Sequence, residues 1–360
     1  MKKVCIQVER SFGEKLRLLL IDLDLLDSDY PITSEGQKLF LPIRFTIDDS
    51  MLSRLQRQTT SLTLVQRELT PQKHRPTNLT EILQDHIPAQ FLPKIPHSLD
   101  VIGDIAIVEL DEELTPFAQE IGQAILLLHN NVVAVYSKAG NIAGPHRLRA
   151  LNHIAGELRT HTVHVEYGIR IAVDVANTYF SPRLSTEHNR VVELIQPGEM
   201  ILDMFAGVGP FALLAAKRQP VTVYAIDINE HAIKCLKKSL ELNQLAGEVI
   251  PILGDCRQVV EEQLSGQFDR VIMNLPHESI QFLDTANAAA NPAGAIIHLY
   301  TITSEDNPLE KQKNQIITVL SRFRKAISIV NIRQVKQTAP YEAQVVLDVQ
   351  IEGTKTTMTT

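Results

Sequence analysis

Asp203, Gly207, Gly209 and Asp227 are the first residues whose types and spacing point to chemistry. They lie in MILDMFAGVGPFALLAAKRQPVTVYAIDIN, residues 200–229, and each acid closes an apolar run. The two glycines let a backbone approach a ligand closely. Pro210 suits the first turn of a helix, where its missing N–H needs no partner. Asp227 follows Gly207 by 20 residues, where an acid in a nucleotide-binding βαβ unit accepts ribose hydroxyls. The third glycine of a dinucleotide fingerprint is replaced by Ala212, and no lysine–hydroxyl pair marks a P-loop. An acid ahead of the turn favours a cationic or amine-bearing ligand over a pyrophosphate. S-adenosylmethionine, with a sulfonium, an amino group and no phosphate, fits. An ordinary buried strand-to-helix turn with incidental glycines is the alternative.

Two later strand ends extend the set. Val249 to Leu253 runs into Gly254-Asp255-Cys256, and Arg270 to Met273 into Asn274-Leu275-Pro276-His277. Ligands of open parallel sheets lie outside the carboxyl ends of the strands. Asp203, Asp227, Asp255 and Asn274 would then meet at one edge. Asp227 would take the ribose, and Asp255 with the Cys256 backbone the adenine. The Asn274 carboxamide offers a donor and an acceptor to the edge of a planar amine or nucleobase. Methyltransferases acting on exocyclic amines commonly carry Asn/Asp-Pro-Pro there; Leu275 replaces the first proline, so this loop leaves the acceptor open. Asp255 could instead cap a helix.

These tips need elements behind them, and three modules are expected: residues 1–70, 71–185 and 186–360. The first reads as small α/β, with strands at Val4–Val8 and Lys38–Phe45 and a helix at Gly13–Leu26. Residues 66–80, polar, basic and proline-bearing, read as a linker. The second has paired strands about Gly103-Asp104, a helix from Leu114 to His129, and strands at Val132–Tyr136, Thr160–Glu166 and Arg170–Val175. The third opens with a helix at Asn189–Leu194 and continues as a doubly wound sheet, closed by a hairpin of Ile327–Val335 and Ala343–Ile351. The fold class is α/β: a Rossmann-like domain with a seven-stranded sheet, preceded by two small α+β domains.

With 44% hydrophobic residues among 360, the chain can bury sizeable cores. No run of about 18 apolar residues marks a membrane span. Three scattered cysteines suit a reduced, cytoplasmic protein. The net charge of −7 argues mildly against a nucleic-acid partner. The middle of the chain reverses that sign: residues 138–190 hold seven Lys/Arg and five His against four acids. His161 and His164 fall on opposite faces of a strand, so no metal site is expected.

YPITSEGQKLFLP (30–42), residues 98–109, HRLRALNHIAGELRT (146–160), VDVANTYFSPRLSTEHNR (173–190), DMFAGVGPF, AIDIN and NLP follow in order along nearly the full length. In these stretches the chain resembles the archaeal and eukaryotic family of tRNA (guanine-37-N1)-methyltransferases. The resemblance implies that Glu187 is the general base for guanine N1, that Arg147 stabilises O6, and that Asn274 orients the base. It places Tyr179, His188, Phe205 and Ile228 by the cofactor with the strand-end residues. It also implies tRNA as partner, met at the anticodon loop and the outer corner, by a monomer. The family usually has Arg where this chain has His188, which puts that position's role in doubt. A wybutosine-pathway transferase, moving an aminocarboxypropyl group or methylating C7 of modified guanosine 37, is the alternative.

Overall fold

Val4, Ile6 and Val8 share one face of β1 (Lys2–Glu9), and that period of two starts the first sheet. Helix α1 (Gly13–Asp22) lays Leu16 and Leu20 on this face. Strands β2 (Thr33–Glu35) and β3 (Lys38–Pro42), helix α2 (Asp49–Gln58) and strand β4 (Thr63–Glu68) follow. The sheet order is β2-β3-β1-β4, antiparallel throughout. Asp48 caps α2 by accepting the Met51 amide at 2.7 Å. Residues 66–68, expected in a linker, are strand instead. Their backbone pairs with Lys2 to Val4, and Arg67 stacks over the Phe40 ring at 3.9 Å.

The computed structural model describes residues 1–59, 62–71, 76–143 and 148–354. Two compact units divide the chain, Met1–Thr77 and Asn78–Thr360. Three modules were expected, but the second and third cluster as one unit. The second unit begins with α3 (Leu79–Leu83), β5 (Leu99–Ile102), β6 (Ile105–Val108), α4 (Ala118–Leu128), β7 (Ala134–Ala143) and β8 (Leu148–Gly156). These strands form a sheet in the order β5-β6-β7-β8, with β6 and β7 the parallel pair. The helix expected from Leu114 starts at Ala118; a 3₁₀ turn containing Pro116 precedes it.

Strands β9 (His161–Glu166) and β10 (Ile169–Asp174) form a hairpin turned at Tyr167-Gly168, both at positive φ. Then come α5 (Ser185–Glu193), β11 (Met200–Asp203), α6 (Pro210–Arg218), β12 (Thr222–Asp227), α7 (Glu230–Leu242) and β13 (Glu248–Leu253). The chain continues with α8 (Cys256–Val259), β14 (Arg270–Met273), α9 (Leu283–Ala289), β15 (Gly294–Thr303), α10 (Leu309–Leu320), β16 (Arg324–Ala339) and β17 (Glu342–Thr354). The expected domain boundary at 185/186 cuts continuous packing, because the β9–β10 hairpin sits on α7. The Ala172 amide donates to Ser239 Oγ at 2.8 Å, and the Asn243 side chain clasps the Arg170 backbone at 2.9 and 2.7 Å.

The large sheet runs β13-β12-β11-β14-β15-β17-β16. Its first five strands are parallel, and β17 lies antiparallel between β15 and β16. One face packs on α5 to α7 through Ile201, Val223, Phe211 and Leu236; the other packs on α8 to α10 through Leu202, Val271, Leu283 and Ile316. Each such side chain taken fully from water contributes about 1.5–3 kcal/mol. The carboxyl ends of all five parallel strands therefore emerge at one edge.

Candidate active site

The turn after β11 is built by its two glycines. Gly207 and Gly209 have φ of 56° and 80°, values that favour residues without a Cβ. A Cβ on Gly209 would lie 2.4 Å from Leu236 Cδ1, whereas one on Gly207 would meet only the Tyr179 carbonyl at 3.6 Å. The Ala206 amide bonds the Ile226 carbonyl at 2.9 Å and ties the turn to β12. Asp227 braces it from the other side, its Oδ2 accepting the Gly207 amide at 2.7 Å and Oδ1 the Asn229 amide at 2.8 Å. Asn229 caps α7 through the His231 amide and reaches the Asn177 carbonyl at 2.8 Å.

Asp203 is fully buried, and neither carboxylate oxygen finds a hydrogen-bond partner among the described residues. Burial, then the nearby Asp227 charge, pushes its pKa up to about 7; the Phe205 amide opposes this without reaching hydrogen-bond geometry. A buried anion without donors is costly. A ligand ammonium would supply both charge and donors, so this carboxylate suits the amine-bearing cofactor. Ile228, at the end of β12, keeps 46% of its surface exposed, an apolar face for a flat ring. Phe205 packs edge-to-face on Phe282 at 5.0 Å.

Asp255 caps α8, accepting the Arg257 amide at 2.8 Å while its side chain stays exposed. Cys256 is buried, and burial followed by the Asp255 charge pushes its thiol up to about 12. It stays a thiol, leaving its backbone as the available group. Asn274 is half-buried, and its Oδ1 accepts Gln344 Nε2 at 3.4 Å. A cavity of about 490 Å³ opens beside it, lined by Tyr179, Asn274, His277, Lys138, Arg183 and Gln344 among others. That volume is in the range of small-molecule sites. Lys138 pairs with Glu109, and Arg183 with Asp100, on its walls.

Helix α5 begins at Ser185, four residues before the sequence expectation, after a 3₁₀ turn opened by Pro182. Glu187 therefore sits in its first turn, 2% exposed. Its Oε1 accepts the Tyr300 hydroxyl at 2.8 Å and Arg190 Nη2 at 2.8 Å; Oε2 accepts Arg190 Nε at 3.1 Å and Arg333 Nη1 at 3.3 Å. Tyr300 is one residue beyond the Met273–Leu299 register pair, so it is the Tyr300 backbone that lies level with Asn274. His188, expected beside the cofactor from the sequence, follows Glu187 on α5. It is 1% exposed, bonds Glu166 through Nδ1 at 2.7 Å and packs edge-on against Phe211. Arg147 lies outside the described residues. Sequence reading missed Tyr300, Arg333, His298 and Asp348. The available signal was polar residues inside apolar strands, His298 in GAIIHLYTIT and Asp348 in QVVLDVQI.

Two contrasts with other chemistry hold among the described residues. No group of His, Cys, Asp and Glu is arranged to hold a metal ion, and His161 and His164 occupy opposite faces of β9, the first near Asp174 and the second accepting the Gly103 amide. No described helix is long and apolar enough to cross a membrane.

The strand order, glycine turn and strand-end acids define a class I, S-adenosylmethionine-dependent methyltransferase fold. Residues 162–327 match the TRM5/TYW2 methyltransferase domain, 79–160 the TYW2 N-terminal domain, and 5–51 the tRNA methyltransferase 5 N-terminal domain. The tRNA (guanine(37)-N(1))-methyltransferase Trm5b of Pyrococcus abyssi is 39% identical over 97% of this chain and 99% of its own length. Its crystal structure superposes with a TM-score of 0.74. A complex of aTrm5 with tRNALeu matches at 35% identity and TM-score 0.75, over 97% of this chain and all of that one. Methanocaldococcus jannaschii Trm5 bound to adenosine matches at 34% identity and TM-score 0.62, over 97% and 99%. The chain belongs to the tRNA (guanine(37)-N(1))-methyltransferase family.

Proposed function

We propose that this chain transfers a methyl group from S-adenosylmethionine to N1 of guanosine 37 in the tRNA anticodon loop. The observation that carries the reading is the buried Asp203 carboxylate, without a hydrogen-bond partner among the described residues, beside the Asp227-braced glycine turn and one strand away from the Asn274 loop and its cavity. Bound S-adenosylmethionine supplies an electrophilic methyl on a sulfonium. Asp203 would hold its amino group, Asp227 the ribose, and Ile228, Phe205, Asp255 and the Cys256 backbone the adenine, with Tyr179 and the Gly207–Gly209 turn alongside.

Guanine N1 is weakly acidic, so a positioned carboxylate removes its proton as N1 bonds to the methyl carbon. Glu187 is the proposed base, and its hydrogen bond to Tyr300, the β15 residue next in register to Asn274, supports that role. Negative charge gathers on O6, where a guanidinium suits it; Arg147 is proposed there on the strength of the sequence resemblance. Asn274 would orient the base, extruded from its loop at modest cost. The first unit is proposed to contact the outer corner of tRNA, and the chain to act as a cytoplasmic monomer. For His188, buried on Glu166, packing beneath the site replaces a direct cofactor contact in this proposal.

Residues 79–160 match a TYW2 domain, which motivates a second reading, transfer of an aminocarboxypropyl group or C7 methylation of a modified guanosine 37. Incubation with labelled cofactor and unmodified tRNA, then nucleoside analysis, separates the two. N1-methylguanosine at position 37, absent when adenosine stands there, is expected. Any other product, or none, rejects the methylation reading.

A further inference from the structure

We infer that Arg190 and Asp348 are positioning residues that clamp the Glu187 carboxylate with Oε2 as its proton-accepting oxygen. This inference rests on the reading of Glu187 as general base. The relevant feature is a line of buried and partly buried polar groups crossing the large sheet on its α5 face. Arg190 shares its guanidinium between two carboxylates. Its Nε and Nη2 grip Glu187, while Nη1 and Nη2 reach Asp348 Oδ2 and Oδ1 at 2.7 and 3.1 Å. Asp348 is gripped in turn by His298 Nδ1 at 2.6 Å and Asn331 Nδ2 at 2.8 Å. His298 Nε2 meets Arg270 Nη1 at 2.7 Å, and Arg270 forks onto Glu199 at 2.7 and 2.9 Å. The line thus joins α5, β15, β17, β16 and β14 and ends at the residue leading into β11.

Stability alone does not account for it. Well-packed apolar residues often replace a buried ion network without loss. What the network adds is orientation. A planar fork shared by two carboxylates has one favourable pose, and the Glu187 and Asp348 side chains are each only 3% exposed. Asp348 is suited to anchor that fork. Burial would raise its pKa, but the His298, Arg190 and Asn331 contacts outweigh burial and hold it well below the usual carboxylate range.

The two Glu187 oxygens differ. Oε1 takes the Tyr300 hydroxyl and the short Arg190 Nη2 bond, both from buried or nearly buried groups. Among the described residues Oε2 has only the longer contacts, including Arg333 at 3.3 Å, and the Arg333 side chain is 42% exposed. Arg333 can swing aside, whereas Tyr300 cannot. In the transfer the N1–H bond would break and its proton go to Oε2, while the N1 electron pair forms the bond to the methyl carbon as the methyl–sulfur bond breaks and its electron pair stays on the departing thioether sulfur. The charged and titratable groups around Glu187 are Arg190 from α5, Tyr300 and His298 from β15, Arg333 from β16 and Asp348 from β17.

Single-turnover rates against pH, at saturating tRNA and cofactor, test the clamp in the full-length protein. Asp348→Asn removes the anion that shares Arg190, so more of the cation falls on Glu187. The acidic limb should move to lower pH, and the plateau rate should fall at least about tenfold. Arg190→Gln removes the cation, so the limb should move to higher pH. Arg190→Lys keeps the charge but loses the fork, and its plateau should also fall about tenfold. Dissociation constants for both ligands should stay within about twofold, since the clamp touches neither. Thermal unfolding checks folding; if Arg190→Gln does not fold, the Asp348→Asn limb and the Arg190→Lys plateau decide. Limbs that stay put or move together, with Glu187→Gln still slow, overturn the clamp and leave the base reading intact. A Glu187→Gln variant at the wild-type rate removes the base reading itself.

Discussion

Asp203 and Asp227 end adjacent parallel strands with opposite fates: Asp227 accepts two backbone amides, while the Asp203 carboxylate, one strand over, has no hydrogen-bond partner among the described residues. In the proposed function the unsatisfied acid is the one that would take a cation. If Asp203 holds the cofactor amine as proposed, burial pushing its pKa up to about 7 would make cofactor affinity sensitive to pH. Calorimetric titration with S-adenosylmethionine should show binding weaken as pH falls from 8 to 6, because Asp203 gains a proton. Asp203→Asn should weaken binding at pH 8 at least about tenfold and flatten this pH dependence. Unchanged affinity in the variant would remove Asp203 from the cofactor site.

The same residue affects the ligand-free fold. An acid whose folded pKa of about 7 exceeds its unfolded value of 3.8 binds its proton more tightly when folded. Its contribution is therefore fully present below about pH 4 and is lost as pH rises through about 7. Thermal unfolding of the cofactor-free protein should show Asp203→Asn more stable than wild type at pH 8, on the order of 1–4 kcal/mol. The gain should shrink toward pH 4.

The two glycines should separate stability from binding. Gly209→Ala forces a side chain into Leu236 and into the left-handed region, and should cost about 2–4 kcal/mol in denaturant unfolding. Gly207→Ala meets open space apart from the Tyr179 carbonyl, so only its positive φ is penalised, by about 1–2 kcal/mol. Its larger effect should be on cofactor affinity, through lost close approach. Equal stability losses at both positions would contradict this division.

Asn274→Ala should leave cofactor affinity within about twofold while lowering kcat/KM for tRNA about tenfold, as loss of a base-orienting contact implies. Fluorescence titration of cofactor and steady-state assays with tRNA give the two quantities. A loss of cofactor binding equal to the loss in kcat/KM would assign Asn274 to the cofactor alone.

The parallel half of the large sheet was legible because each strand is a short apolar run ended by a polar residue and followed by turn chemistry: Asp203 before the glycines, Asp227 before the Asn229 cap, Asn274 before Pro276. The domain edges were less legible. Polar Gln66 to Glu68 reads as linker, yet tertiary pairing with β1 makes it strand. The α5 start was placed four residues late, because the Pro182 turn leads straight into helix at Ser185. The clamp on Glu187 was out of reach. Arg190 and Asp348 stand 158 residues apart, and only the antiparallel insertion of β17 brings them together. Pattern reveals which residues are polar within an apolar strand, but not which distant partner completes them.

That insertion also orders assembly of the protein in time. Because β17 fills a gap inside the sheet instead of flanking it, a nascent chain still held by the ribosome at residue 340 has a cofactor turn but no anchor for Arg190. Its β15 edge is unpaired and open to aggregation. The ability to hold cofactor should thus mature before the ability to move a proton, with β17 acting as the latch.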